Sequence, residues 1–296
     1  MLLAGVLMGS GAYWWYARPY DAAKLLQCLP QERSLHVYLD VAMLRSAGIL
    51  DLIAGSKNAE DPDYKKFIEE TGCDYRTDLD AVAAGFHDGD EAFAVRGRFH
   101  WDRLSQYAVA HGGQCKDSLC SMPASQPGRT ISFYPMRTGV LALAVSRDPQ
   151  AANTIAPGAW KTVPKIPAAA VWVSAPPFVF SDPNSFITGT RSFFSPLALA
   201  RGTTFTLGPG QADKSYDLRM MVDCTSPENA ADLASQLSKT TDLLKKMLDR
   251  DKMTPNPADL SGVLVAGRFE AQQSLVTGQW SIDRSFLESL AAGKIQ

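Results

Sequence analysis

Histidine is scarce in this 296-residue chain, and the short motifs that carry much catalytic chemistry are missing. The four histidines are His36, His87, His100 and His111, and none belongs to an HExxH zinc pair. The chain also lacks a GxSxG nucleophile elbow and the glycine-rich loops that cradle nucleotide phosphates. The sequence therefore predicts no helix-borne zinc centre, no nucleotide site and no cofactor.

An excess of one charge sign is also missing. Lys and Arg number 29 and Asp and Glu number 31, which leaves a net charge of −2. Proteins that bind nucleic acid usually carry a basic surface, so we expect no nucleic-acid partner. Hydrophobic residues make up 46% of the chain, which is enough to build a core and excludes disorder by composition.

Cysteine is limited to five residues, and neither CxxC nor a Cys/His zinc spacing occurs. Cys115 and Cys120 are separated by Lys-Asp-Ser-Leu, which contains turn-forming residues. That spacing predicts a small loop disulfide in an oxidising compartment. The other three are expected to be buried free thiols: Cys28, Cys73 and Cys224.

One uncharged apolar run occupies residues 1–17, and no later apolar segment reaches about 18 residues. As a helix at about 1.5 Å per residue it would be roughly 25 Å long, close to the thickness of a bilayer core. The run ends in rings that favour the headgroup level, namely Tyr13, Trp14, Trp15 and Tyr16. We therefore expect an uncleaved anchor; the alternative is a signal peptide cut near Ser10-Gly11-Ala12.

Gly5 and Gly9 form a GxxxG within the anchor, a spacing that lets two membrane helices approach closely. This pair is a candidate for helix dimerisation; the alternative is that glycine is simply common in membrane helices. A single span followed by a large body is typical of proteins exported from a bacterial cytoplasm. The predicted location is the cell inner membrane, with the bulk of the chain extracytoplasmic.

After a connector at 18–24, two stretches of similar make-up follow, at 25–160 and 161–296. Val95-Arg-Gly-Arg-Phe99 is echoed by Val265-Ala-Gly-Arg-Phe269. Strands that alternate with helices and hairpins favour an α+β fold. The predicted architecture is two similar modules of mainly antiparallel sheet with helices packed on one face, preceded by an N-terminal transmembrane helix.

Local signals place several elements within these modules. Asp61-Pro62 and Ser226-Pro227 are typical helix starts, and the second precedes a long amphipathic pattern that runs to about residue 251. Asp88-Gly89 between two apolar stretches indicates a hairpin.

Two groups of side chains are candidates for function. The first is an exposed apolar patch that would serve as a partner site, with core burial as its alternative: Phe178, Phe180, Phe193 and Phe194. The second is the pair Asp78 and Asp80, acids that would have to meet in a cleft to serve a hydrolase. We expect no metal site, because the acids lack the spacing of a calcium loop.

Three phrases resemble uncharacterised bacterial envelope proteins that have one N-terminal span and a duplicated α+β exterior. They are Asp61-Pro-Asp-Tyr-Lys-Lys-Phe67, Thr71-Gly-Cys-Asp-Tyr75 with Asp78-Leu-Asp80, and Arg96-Gly-Arg-Phe-His-Trp101. The resemblance covers mainly residues 25–150. It implies a location at the envelope and no catalytic residues.

The functional expectation is a non-enzymatic, membrane-anchored module that binds another envelope protein or an apolar ligand. Two alternatives stay open: a carrier of lipid or another hydrophobic ligand, and a hydrolase that uses acidic residues. A large apolar cavity would favour the carrier, and converging acids in a polar pocket would favour the hydrolase.

Overall fold

The computed structural model describes residues 20–31, 34–54, 61–160, 166, 169–181, 190–210, 215–292 and 294. The predicted anchor at 1–17, with its aromatic cluster and its GxxxG, lies outside these residues. Among the helices that are described, none has the length and apolar character needed to cross a membrane. The body has a mixed α+β fold built on a large antiparallel sheet.

Twelve strands of the described chain form this sheet. Its strand order is β11-β12-β10-β9-β8-β1-β2-β3-β7-β6-β5-β4, and every neighbouring pair is antiparallel. The strands are β1 (Leu35–Leu39), β2 (Leu79–His87), β3 (Asp90–Gly97), β4 (Gln114–Lys116), β5 (Leu119–Pro123), β6 (Thr130–Arg137), β7 (Val140–Ser146), β8 (Val171–Ala175), β9 (Gly202–Pro209), β10 (Ser215–Asp223), β11 (Arg268–Gln272) and β12 (Leu275–Asp283).

Along the chain, helices alternate with the strands, and the longest helix has the predicted amphipathic pattern. The α-helices are α1 (Ala22–Leu26), α2 (Val41–Ser46), α3 (Leu50–Ala54), α4 (Pro62–Thr71), α5 (Tyr75–Asp78), α6 (Trp101–Ala110), α7 (Arg191–Phe194), α8 (Pro227–Arg250), α9 (Leu260–Val265) and α10 (Arg284–Ala291). Short 3-10 helices span Ala151–Thr154, Pro177–Phe180 and Ser195–Leu199.

The expected helix starts and the expected hairpin are confirmed. Asp61 and Ser226 accept hydrogen bonds from backbone N–H groups in the first turns of α4 and α8. Asp88 and Gly89 have φ values of 45° and 83°, the left-handed pair that a tight hairpin turn needs between β2 and β3.

Strands β1 to β7 and β8 to β12 meet where β1 pairs with β8. Outward from this seam, both halves follow one order: three consecutive strands, then the two strands of a later hairpin in reverse order (β1-β2-β3-β7-β6 and β8-β9-β10-β12-β11). The Gly-Arg-Phe echo does not mark equivalent places in this order. Gly97 ends β3, whereas Gly267 precedes β11.

The two faces of the sheet differ. One face, here called the helix face, is covered by most of the helices, including α8 with its buried Leu237. The other, here called the opposite face, holds α1 against the β1–β7 half, where alanines such as Ala83 and Ala94 let the helix approach closely. The prediction that helices pack on only one face of the sheet is therefore wrong for the β1–β7 half. Both faces of this half are apolar, and both are covered.

Candidate binding groove

The opposite face of the β8–β12 half forms an open groove with polar side chains and apolar residues such as Ile166 and Met221. Its two central strands, β10 and β12, alternate: the residues that point to the helix face are buried or partly buried, and their neighbours are mostly exposed. The groove has a volume of about 970 Å³. Its polar side chains come from four adjacent strands: Thr204, Thr206, Asp217, Arg219, Arg268, Glu270, Thr277 and Gln279.

Two arginines stand in one row across the groove. The strand register places Gln279 of β12 opposite both Arg219 of β10 and Arg268 of β11. With strands about 4.8 Å apart, the two arginine Cα atoms are about 10 Å apart. The row presents two guanidinium groups with an amide between them, so it offers many hydrogen-bond donors and one carbonyl acceptor.

The charges in the groove balance. The Asp217 carboxylate lies 3.4 Å from the Arg219 guanidinium, and the side chain of Asp217 is 15% exposed against 64% for Arg219. Glu270 stands two residues from Arg268 on β11 and points to the same face. The groove therefore attracts neither sign strongly, and a ligand would be recognised by hydrogen bonds and by paired charges.

The acids of the groove do not converge. Asp217 and Glu270 are two strands apart sideways and four residues apart along the strands. At ordinary strand spacing their Cα atoms are about 16 Å apart. The part of the chain that the structure describes also contains no group of three potential metal ligands. The two carboxylates of the groove therefore do not form a close acid–base pair.

The predicted hydrolase acids serve local structure. Asp78 accepts hydrogen bonds from the backbone N–H of Asp74 and from Arg98, and these interactions lower the pKa of its carboxyl. A hydrogen bond from Arg76 lowers the pKa of Asp74, which also caps α5. Asp80 lies at the irregularity in β2 where the pairing with β3 shifts. These contacts explain the acidic segment without a cleft.

The four phenylalanines do not form the candidate exposed patch, and the alternative of core burial holds for Phe180 and Phe193. Phe180 and Phe193 are only 6% and 5% exposed and belong to the helix-face core, and Phe194 packs against that core. Phe178 alone is substantially exposed, at 49%. The physical reason is that the short helices at 177–180 and 191–199 turn their rings inward over β9. There the rings of Phe180 and Phe194 both pack against the ring of Phe205.

Cys115 and Cys120 form a disulfide across opposed positions of the β4–β5 hairpin. The other three cysteines are free and buried, as the sequence indicates. Burial raises the pKa of the Cys28 and Cys73 thiols to about 11. Both thiols therefore stay protonated at neutral pH and are poor nucleophiles.

Sequence reasoning did not find the groove. Its signal was the alternation in Tyr216–Asp223 and in Ser274–Ile282, which predicts strands with one solvated face. Alternation within a strand does not tell which strands become neighbours, so it could not bring Arg219, Gln279 and Arg268 into one row.

No protein-family profile and no curated protein sequence matches the chain. Among solved structures, crystal form III of TP0453 is similar, with a TM-score of 0.50 and 12% identity over 93% of this chain and 97% of that one. Crystal form I of TP0453 gives a TM-score of 0.50 and 9% identity over 94% and 99% of the two chains. At this identity the likeness concerns the fold alone.

Proposed function

We propose that the protein is a non-enzymatic binding module of the bacterial cell envelope, held in the inner membrane by residues 1–17 with its body extracytoplasmic. The uncharged run and its terminal aromatic cluster support the anchor. The Cys115–Cys120 disulfide is compatible with an oxidising compartment outside the cytoplasm.

The observation that carries the binding role is the open polar groove on β9 to β12. Threonine hydroxyls, the Gln279 amide and charges of both signs suit a polypeptide segment that carries both acidic and basic side chains. The partner we propose is therefore a segment of another envelope protein. An apolar ligand or a lipid is less suitable, because the polar side chains of the groove would lose their water without gaining partners.

We also propose that the body arose by duplication of one α+β module. The shared strand order of β1-β2-β3-β7-β6 and β8-β9-β10-β12-β11 supports this origin. Helices follow the third strand of each half, namely α6 after β3 and α8 after β10.

Site-specific photo-crosslinking in bacterial cells tests the binding role. A photoreactive amino acid would replace Thr277 in the groove, with a matched position at Leu243, which is 59% exposed on α8. We expect a discrete protein adduct in the membrane fraction from position 277 and not from position 243. The adduct should be lost in the Arg219→Glu variant, which reverses one charge of the groove. Identical products from both positions, or no product from position 277, would contradict the proposal.

A further inference from the structure

Tyr20 is the first residue that the structure describes, and two distant arginines contact it. The Tyr20 carbonyl accepts a hydrogen bond of 2.5 Å from Nη1 of Arg96, which is 76 residues away. The guanidinium carbon of Arg137 lies 4.8 Å from the centre of the Tyr20 ring, within the range of a cation–π contact. Both the backbone and the ring of Tyr20 are therefore fixed on the body.

The two arginines occupy one row at the end of the sheet. Val140, the first residue of β7, is the register partner of Arg96 on β3 and of Arg137 on β6. Val140 belongs to the core under α1, so the row lies on the opposite face of the sheet. We call Tyr20, Arg96 and Arg137 the clamp.

Covalent geometry limits how far the clamp can lie from the apolar run. Tyr20 is four positions after Tyr16, and an extended chain spans at most about 3.6 Å per residue. Tyr20 thus lies within about 14 Å of the aromatic cluster that ends the proposed anchor. That cluster favours the headgroup level of a bilayer.

We propose that the clamp docks the body on the lipid surface, so that the sheet end with the Thr138-Gly139 turn faces the headgroups and the far end of β7 points away. This inference rests on the proposed anchor. The partner is the bilayer itself. The orientation is set by the short tether that joins a fixed point of the body to the membrane, and not by contacts with a particular lipid.

The docking has a consequence for the groove. Arg96 on β3 and Asp217 on β10 are five strand spacings apart, and both lie on the opposite face. At about 4.8 Å per spacing Asp217 lies roughly 24 Å from the clamp, and β9, the nearest strand of the groove, lies one spacing closer. A partner segment in the groove would then be held close to the membrane.

Spin labels at the two ends of β7 test the orientation. Thr138→Cys and Arg147→Cys place labels on exposed residues just before and just after this strand, whose ends are about 20 Å apart. The three free native cysteines are buried and the other two form the disulfide, so labelling would be selective. The full chain would be bound to phosphatidylcholine vesicles that contain a nickel-chelating lipid, and relaxation of each label by the headgroup nickel would be measured.

We expect relaxation at position 138 to exceed that at position 147 by several-fold. The difference should shrink in Tyr20→Ala and in the Arg96→Ala, Arg137→Ala double variant, with the chain still bound to vesicles. The matched control is Arg98→Ala, which removes an exposed arginine just beyond β3 that contacts Asp78 and not Tyr20. It should keep the difference.

Equal relaxation at the two positions in vesicle-bound protein would overturn the docking and leave the anchor standing. An undiminished difference in Tyr20→Ala would show that other contacts set the orientation, and would overturn the clamp. A full chain that does not bind vesicles would overturn the anchor, and the docking with it.

Discussion

His36 is the most deeply buried of the four histidines, at 5% exposure. Its Nε2 lies 3.1 Å from the Pro30 carbonyl oxygen, and its ring meets the edge of Trp160 at a centroid distance of 4.6 Å. Burial lowers the pKa of the imidazole, and the hydrogen bond to Pro30 opposes this only in part. The folded protein therefore favours the neutral ring.

We expect stability to depend on pH through His36. The folded pKa lies below the unfolded value of about 6.5, so this contribution is fully present above that value and is lost as the pH falls below it. Urea midpoints at pH 7.5 and 5.5 measure the effect, and His36→Gln should reduce the loss. His100→Gln, at an exposed position, should keep the wild-type dependence. Equal losses in wild type and His36→Gln would contradict the assignment.

At Gly97, the last residue of β3, the backbone of Asp78 and Leu79 approaches closely. A Cβ there would lie 2.4 Å from the carbonyl oxygen of Asp78 and 3.2 Å from the Cα of Leu79. Gly97→Ala should therefore destabilise the protein by about 1–3 kcal/mol in urea unfolding, because backbone must shift. Gly202→Ala is the matched control: it also lies in a strand, and no atom is within 4 Å of its added Cβ. If Gly202→Ala lowered the free energy of unfolding as much as Gly97→Ala does, the steric explanation would be refuted.

At the scale of elements, α8 owes its position to one apolar stripe. Leu237 is 2% exposed in the core, whereas Leu243 on the same helix is 59% exposed. Leu237→Ala should cost about 2–5 kcal/mol of unfolding free energy, since it leaves a cavity. Leu243→Ala should change it by no more than about 0.5 kcal/mol. Chemical denaturation of both variants gives the comparison, and similar losses would mean that α8 is not held by this stripe.

Much of the element level could be predicted from the sequence, because caps and turns are local. Asp61 and Ser226 act within their own helices, and Asp88-Gly89 needs only its own backbone angles. The burial of Phe180 and Phe193 was not predictable in this way. For Phe180 it depends on where Phe205 of β9 lies, which is set by the pairing of β9 with β8 and β10.

The whole molecule is organised around the seam between β1 and β8, which makes the two halves of the chain one sheet. The outer strands are β11 and β4. The second of these has only three residues and is tied to β5 by the disulfide, so it offers little edge for pairing with other chains. The groove could not be predicted at this scale, because its row of side chains exists only after β9 to β12 are in register.

We propose that this sheet is a binding body that residues 1–17 tether to a membrane. The most direct test is to express the intact chain in bacteria, wash the membranes with alkaline carbonate and determine the amino terminus of the retained protein. We predict that the chain stays in the membrane with residues 1–17 attached, whereas a chain that begins at Tyr20 is released. Release of the intact chain by the wash, or a mature terminus near Ala12, would contradict the claim.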